Sequence, residues 1–253
     1  MSDPFKIAYV DIETSPNLGW VWGKWQQDVV KFEEEWHLLS FAVKWSGNPK
    51  VECYALPDFP RYKRDPDDDR DLAKLLWKVF DEADVVVGHN GDKFDIRRSN
   101  TRMLENGLGP PSPYKTIDTL KLTRKYFAFN SNKLGDLCEK LGIGGKVKHE
   151  GFELWRKCMM GNMAAWARMK KYNSMDVVLL EKLHILLRGW HEGHPNVNIK
   201  EAGLLRCPKC GSDKLTPRGW RYATSRRARL YYCKGCKGWP KAAYTSNPGI
   251  LLR

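Results

Sequence analysis

At 253 residues with 42% hydrophobic content, the chain is long enough to bury one sizeable core and carry a small appendage, which excludes a disordered polymer. It has no apolar run long enough for a membrane span, and Met1-Ser2-Asp3-Pro4 lacks the basic and apolar regions of a signal peptide, so the sequence predicts a soluble, cytoplasmic protein with no membrane role. Of the net charge of +13, +10 lies between Glu201 and Arg253, which points to a polyanionic partner, nucleic acid before anionic lipid.

The first predicted element is the strand Ile7–Thr14, which ends with Asp11 and Glu13 two positions apart. Strand side chains alternate with period two, so these carboxylates share a face and repel unless solvated or bridged by a cation. A strand running out into a polar loop gives the same pattern, so later carboxylates must decide. Leu38–Lys44 and Val51–Ala55, around the turn Ser46-Gly47-Asn48-Pro49, read as two further strands of an antiparallel meander. Of the tryptophans at 20, 22, 25, 36 and 45, Trp36 and Trp45 are expected in the core. Pro57–Asp71, with Asp67-Asp68-Asp69, reads as a solvated acidic loop.

Apolar residues at helical spacing over Asp71–Ala83, followed by Val85-Val86-Val87, give a helix and then a strand buried on both faces. The loop Gly88–Ile96 follows, holding His89, Asn90, Phe94 and Asp95 where strand-to-helix crevices of open α/β sheets bind ligands. A capping pair of Asp92 and Asp95 also accounts for its acidity. Lys115–Ile117 is a short strand, Asp118 caps the next helix, and Leu134–Leu141 is a helix closed by Gly142 before the basic loop Gly144–Lys148. Ala164–Leu187 is helical, with a break expected near Asn173-Ser174; Asp176 falls on its apolar stripe one turn after Tyr172. A buried carboxylate with no basic residue on its side of the helix calls for a metal.

Near the C-terminus, Cys207-x-x-Cys210 and Cys233-x-x-Cys236, 22 residues apart, have the spacing of a structural four-cysteine zinc ribbon. His191 and His194 upstream read as linker residues. Between the cysteine pairs Arg218, Arg221, Arg226 and Arg227 are interleaved with Trp220 and Tyr222, a mixture suited to phosphate contacts and base stacking. A protein-docking ribbon is the other reading.

Asp11-Ile-Glu13, His89-Asn90 with Phe94-Asp95, and Tyr172-x-x-x-Asp176, in that order on strand, loop-helix and helix, resemble the three motifs of the DEDDy branch of DnaQ-like 3′–5′ exonucleases. The resemblance covers roughly residues 5 to 188. It implies an α/β, ribonuclease H-like mixed sheet flanked by helices, to which the zinc ribbon adds a small C-terminal domain. It also implies that Asp11, Glu13, Asp95 and Asp176 hold two Mg2+ or Mn2+ ions, with Tyr172 orienting the attacking water and Asn90, His89 and Phe94 near the substrate. The implied activity is metal-dependent hydrolysis of DNA, or RNA, from a single-stranded 3′ end, with any polymerase or repair partner acting in trans. The predicted division is 1–190 exonuclease domain, 191–202 linker and 203–253 basic ribbon holding one Zn2+. The alternative is a non-catalytic nucleic-acid-binding or recruitment protein with the nuclease-like domain as scaffold.

Overall fold

The computed structural model describes residues 5–25, 28–145, 150–199, 205–224, 226–243 and 245–246. Lys146, Val147 and Lys148 of the expected basic loop, and part of the expected linker, lie outside the described residues.

The main sheet has five strands in the order β5-β4-β1-β6-β7: β1 Ile7–Thr14, β4 Leu38–Trp45, β5 Val51–Ala55, β6 Val85–Gly88 and β7 Lys115–Asp118. The first three run antiparallel, as the meander predicts, while β6 and β7 run parallel to β1 and to each other. Parallel neighbours need crossovers, supplied here by α1 Arg70–Glu82 and α2 Asp95–Glu105. Val85, Val86 and Val87 are buried on both faces, matching their continuous apolar run. The helices α3 Thr119–Tyr126, α4 Leu134–Lys140, α5 Phe152–Met159 and α6 Met163–Leu187 complete the body.

The alternation of β1 sorts the core into two layers. Ala8, Val10 and Ile12 pack with Leu72, Leu76 and Phe80 of α1 and with Met103 of α2. Ile7 and Tyr9 pack on the other side with Leu122 of α3, Leu137 of α4 and Leu183 of α6. Each fully buried leucine in these layers contributes about 1.5–3 kcal/mol relative to exposure. Asp11 and Glu13 continue the second series. Helix α6 belongs to both layers, with Trp166, Met169 and Tyr172 in the first and Val177, Leu180 and Leu183 in the second. Its crossing from one layer to the other falls at residues 172–176, so Tyr172 and Asp176 meet the far end of β1.

Three expectations are corrected and one element is added. Helix α6 is continuous through Asn173-Ser174, because the Asn173 side chain is engaged by neighbouring strands rather than competing for its own helix backbone. Asp69 is not solvated: it is buried, accepts from Leu38 N at 2.9 Å, and is gripped by both sides of the Arg102 guanidinium at 2.6 and 2.7 Å. Trp36 is half-buried outside both core layers, with the Arg98 guanidinium 4.4 Å from its ring centre, whereas Trp45 packs against the first layer. Finally, the tryptophan-rich stretch forms a separate hairpin, β2 Leu18–Trp20 and β3 Lys31–Glu34, whose short strands carry no alternating pattern to reveal them.

At the C-terminus, β8 Leu215–Tyr222, β9 Arg226–Cys233 and β10 Thr245–Ser246 form a three-stranded antiparallel sheet. Its core consists of cysteines rather than large apolar residues. Lys209 is nearly buried and donates from Nζ to Gly189 O at 2.8 Å, tying the unit to the end of α6. Gly189 is required there, since a Cβ would lie 2.3 Å from Cys236 O. Among the described residues no helix is long and apolar enough to cross a membrane.

Candidate active site and cysteine cluster

The residues expected to act together line one cavity of about 380 Å³: Asp11 and Glu13 from β1, Asn90, Phe94 and Asp95 from the β6–α2 segment, and Tyr172 and Asp176 from α6, with His89 beside them. Asp95 is buried at the start of α2 and accepts from Ile12 N at 3.0 Å. That bond fixes the helix against β1 between the two acidic residues and removes the capping-pair reading, as does the pairing of Asp92 Oδ2 with Lys121 Nζ at 2.5 Å. Burial pushes the Asp95 carboxyl up to about 7, opposed by the backbone N–H of Ile12 and aided by the Asp118 charge.

Tyr172 is buried, and its phenol is held well above the ordinary range, first by burial and then by the charges of Asp176, Glu13 and Asp11 and its hydrogen bond to Asp176. It is therefore a neutral hydroxyl at physiological pH. Having donated to Asp176, its oxygen retains lone pairs to accept from a water.

The loop between β6 and α2 owes its shape to two glycines. A Cβ on Gly88 would lie 2.8 Å from the Gly91 Cα, and one on Gly91 would lie 2.9 Å from the Gly88 Cα. Between them Asn90 takes φ +66°, a left-handed conformation that asparagine tolerates better than most residues. Its N–H donates to Asp118 Oδ1 at 3.0 Å, and the same oxygen accepts from Leu120 N at 2.9 Å, so Asp118 both caps α3 and braces the loop. His89 lines the cavity, but its nitrogens are engaged with Thr119 Oγ1 at 2.9 Å and Asn132 O at 2.8 Å, a bracing arrangement. Phe94 stacks against the Arg98 guanidinium at 4.7 Å, and Arg98 donates to Thr14 Oγ1 at 2.7 Å.

Two contributions are not visible in the motifs. Asn173, fully buried, donates from Nδ2 to Asp11 Oδ2 at 2.6 Å and Asp11 O at 3.1 Å, while its Oδ1 accepts from Ser40 Oγ at 3.2 Å. This fixes the Asp11 carboxylate from across 162 residues of sequence. Lys133, Leu134, Gly135 and Asp136 form a further wall of the cavity. The sequence signal for Asn173 is a polar residue at the first variable position of the Tyr-x-x-x-Asp motif.

The donor set suits hard divalent ions: Asp11, Glu13, Asp95 and Asp176 line a cavity on whose wall a fifth acid, Asp136, and one lysine, Lys133, also lie. Among the described residues only the cysteines bring three or more ligand atoms within 4.8 Å of one another, so the carboxylates ring their cavity more openly.

The four cysteines, Cys207, Cys210, Cys233 and Cys236, have Sγ atoms all within 4.8 Å, with Cys207–Cys236 and Cys210–Cys233 each at 3.6 Å. A tetrahedron with Zn–S bonds of about 2.3 Å has sulfur–sulfur edges of about 3.8 Å, so the cluster fits one zinc ion. Backbone N–H groups of Lys209 and Cys210 donate to the Cys207 sulfur, and that of Gly238 to the Cys236 sulfur, stabilising thiolates. Among the arginines between the cysteine pairs, Arg218, Arg221, Arg226 and Arg227 are exposed, and Arg227 stacks on Trp220 at 4.4 Å. The pairing of Trp220 with Arg229 and Tyr222 with Arg227 puts these four on one face of the sheet; Arg221, opposite Ala228, is on the other. His191 and His194 do more than span a linker: His194 is nearly buried and stacks on His184 at 5.3 Å, and His191 meets His194 edge-on.

The chain is 37% identical over 76 residues to a PolC-type DNA polymerase III of Ureaplasma parvum, covering 30% of this chain and 5% of that protein. It is 31% identical over 80 residues to the protein NEN3 of Arabidopsis thaliana, covering 30% of this chain and 16% of that one. A family B DNA polymerase from Pyrobaculum calidifontis superposes with a TM-score of 0.49 at 16% identity, covering 74% of this chain and 25% of that chain. The chain thus spans a small part of each. The RNase H superfamily model matches residues 51–188, more than half of the chain, beginning after the strand that carries Asp11 and Glu13. With a five-stranded mixed sheet flanked by helices and a match of this extent, the chain belongs to the RNase H superfamily.

Proposed function

We propose that this protein is a metal-dependent 3′–5′ exonuclease of the DEDDy type, acting on DNA or RNA. The observation that carries the reading is the convergence of Asp11, Glu13, Asp95 and Asp176 with Tyr172 on one cavity at the end of β1. The similarity to a PolC-type DNA polymerase III supports a nucleic-acid substrate and a polymerase partner acting in trans.

Asp11, Glu13, Asp95 and Asp176 would hold two Mg2+ or Mn2+ ions, which when bound supply a hydroxide at neutral pH and stabilise charge on the departing 3′ oxygen. The Tyr172 hydroxyl accepts from the attacking water and orients it; a neutral phenol so far from titrating is not the base. Asn173 holds the Asp11 carboxylate in one rotamer through its short hydrogen bond. Asn90 and Phe94 contact the terminal nucleotide, while His89 braces the loop that presents them. Residues 1–190 form the exonuclease domain and 203–253 a zinc ribbon whose arginines, Arg218, Arg221, Arg226 and Arg227, contact phosphates.

The test uses 5′-labelled single-stranded DNA and RNA with Mg2+, Mn2+ or chelator, comparing wild type with Asp11→Ala. Stepwise shortening from the 3′ end is expected for wild type only. Cutting that persists in the variant, or wild-type binding without cutting, overturns the reading, the latter in favour of a non-catalytic binding protein.

A further inference from the structure

Beside the carboxylate cavity, a second concavity is lined by His89, Asn90, Arg124, Asn130 and Lys133, sharing His89, Asn90 and Lys133 with the first. It follows α3, at whose C-terminal end Lys125 and Tyr126 open a third and larger cleft of about 770 Å³. The far wall of that cleft belongs to the C-terminal unit, with Lys209, Arg221, Trp239 and Lys241, and its floor carries Trp190 just after α6. Four cations line this cleft against one acidic residue, Glu192. Trp190 and Trp239 are 58% and 53% exposed, large apolar rings left open where a core would have covered them.

We propose that these concavities form one groove that holds the nucleic-acid strand upstream of the terminal nucleotide, leading it from the carboxylate cavity along α3 into the cleft beneath the cysteine unit. This deepens the exonuclease reading and rests on it. Cations spaced along a track contact successive phosphates, and open tryptophan faces stack on bases without regard to sequence. The eight residues of α3 span roughly 12 Å, at most about three or four nucleotides at the stacked duplex spacing of 3.4 Å and fewer when the strand is extended. A strand of about six nucleotides is therefore long enough to reach Arg221, Lys241 and the tryptophans. Arg221 thus meets the strand within the groove, whereas Arg227 faces the other side of its sheet and can contact only phosphates outside it.

The experiment measures affinity for labelled single strands of 2, 4, 6, 8 and 12 nucleotides, in an Asp11→Ala background so that no cutting intervenes. Affinity is expected to rise steeply between 4 and 8 nucleotides. Lys125→Glu with Lys241→Glu should remove that rise, weaken 12-nucleotide binding at least ~10-fold and flatten the log–log salt dependence by about 1.4, the loss of two phosphate contacts on a single strand. The same reversal at Lys74 and Lys78, exposed on α1, is the control and should change none of these. Trp239→Ala, which alters no charge, should lower affinity for 12 nucleotides while leaving the salt slope intact. Length-independent affinity, or equal effects of groove and control variants, overturns the proposal, including in favour of a protein occupant. Binding is read without catalysis, so a chain that binds by length but never cuts leaves the groove standing and defeats only the exonuclease reading.

Discussion

The carboxylate cavity and the cysteine cluster are each proposed to receive metal, yet they would depend on it in opposite ways. The cavity lies where two extensive apolar layers meet, and its acids are positioned by strand β1, the start of α2 and helix α6, all held by buried leucines and valines. The cysteine unit has no comparable core: its buried centre is Cys207, Cys233 and Cys236, with Cys210 and Leu215 packed against them. In the first, the fold holds charges together that would otherwise repel. In the second, a bound ion would supply the cohesion that a chain of this size cannot obtain from apolar burial.

This contrast is testable, beginning with the largest effect. Asp11→Ala should lower exonuclease activity by at least ~10³-fold while the melting temperature falls by only a few degrees, because the substitution removes a proposed metal ligand and relieves repulsion, at the expense of the Asn173 hydrogen bond, without opening the core. A collapse in melting temperature would show that the cavity, too, depends on its acids for folding. Cys207→Ser should abolish the one-to-one zinc content read by elemental analysis and strip hydrogen-exchange protection from β8 and β9, while hydrolysis of a dinucleotide stays within ~3-fold. Protection that survives would mean that the sheet folds without its ion.

Asn173→Ala sharpens the comparison from within the cavity. Losing the 2.6 Å bond to Asp11 leaves that carboxylate free to leave its rotamer, so kcat should fall about 10-fold at unchanged KM, and the buried polar loss should cost about 1–3 kcal/mol in denaturant unfolding. A change in KM alone would remove its positioning role.

The smallest effect lies near the seam between the two regions. Burial and its histidine neighbours hold His184 down at about 3, so it is neutral in the folded protein. Unfolded, it titrates near 6.5 and binds more protons than the folded form at any pH between these values. Its depressed value therefore makes stability fall as pH drops below 6.5, by about 2 kcal/mol at pH 5 from this residue alone. Urea unfolding of wild type and His184→Gln at pH 7 and pH 5 should show a smaller acid loss in the variant.

The motifs of the candidate site were legible because each depends on a short repeat. Period two on β1 put Asp11 and Glu13 on one face, and the three-and-four spacing of α6 put Asp176 on a stripe whose members are all buried. The cysteine spacing was legible for the same local reason. Asp69 was not: its sequence neighbours make an acidic loop, and only Arg102 on α2 and the start of β4 remove it from solvent. Nor was Asn173, whose partners Asp11 and Ser40 come from strands more than 130 residues away. The unbroken course of α6 follows from that same engagement.

By itself, then, the amino-acid order determined the strands of the main sheet and most of its helices, the acidic pair of β1, the acid buried on α6 and the two CxxC pairs, since all follow from periodicities or spacings within short segments. Tertiary structure alone decided that α6 changes layers at Tyr172 and Asp176, that Asn173 steadies Asp11, and that the end of α3 faces the cysteine unit across a basic cleft. Those are contacts between segments distant in sequence, and the packing that brings them together has no local repeat from which to read it.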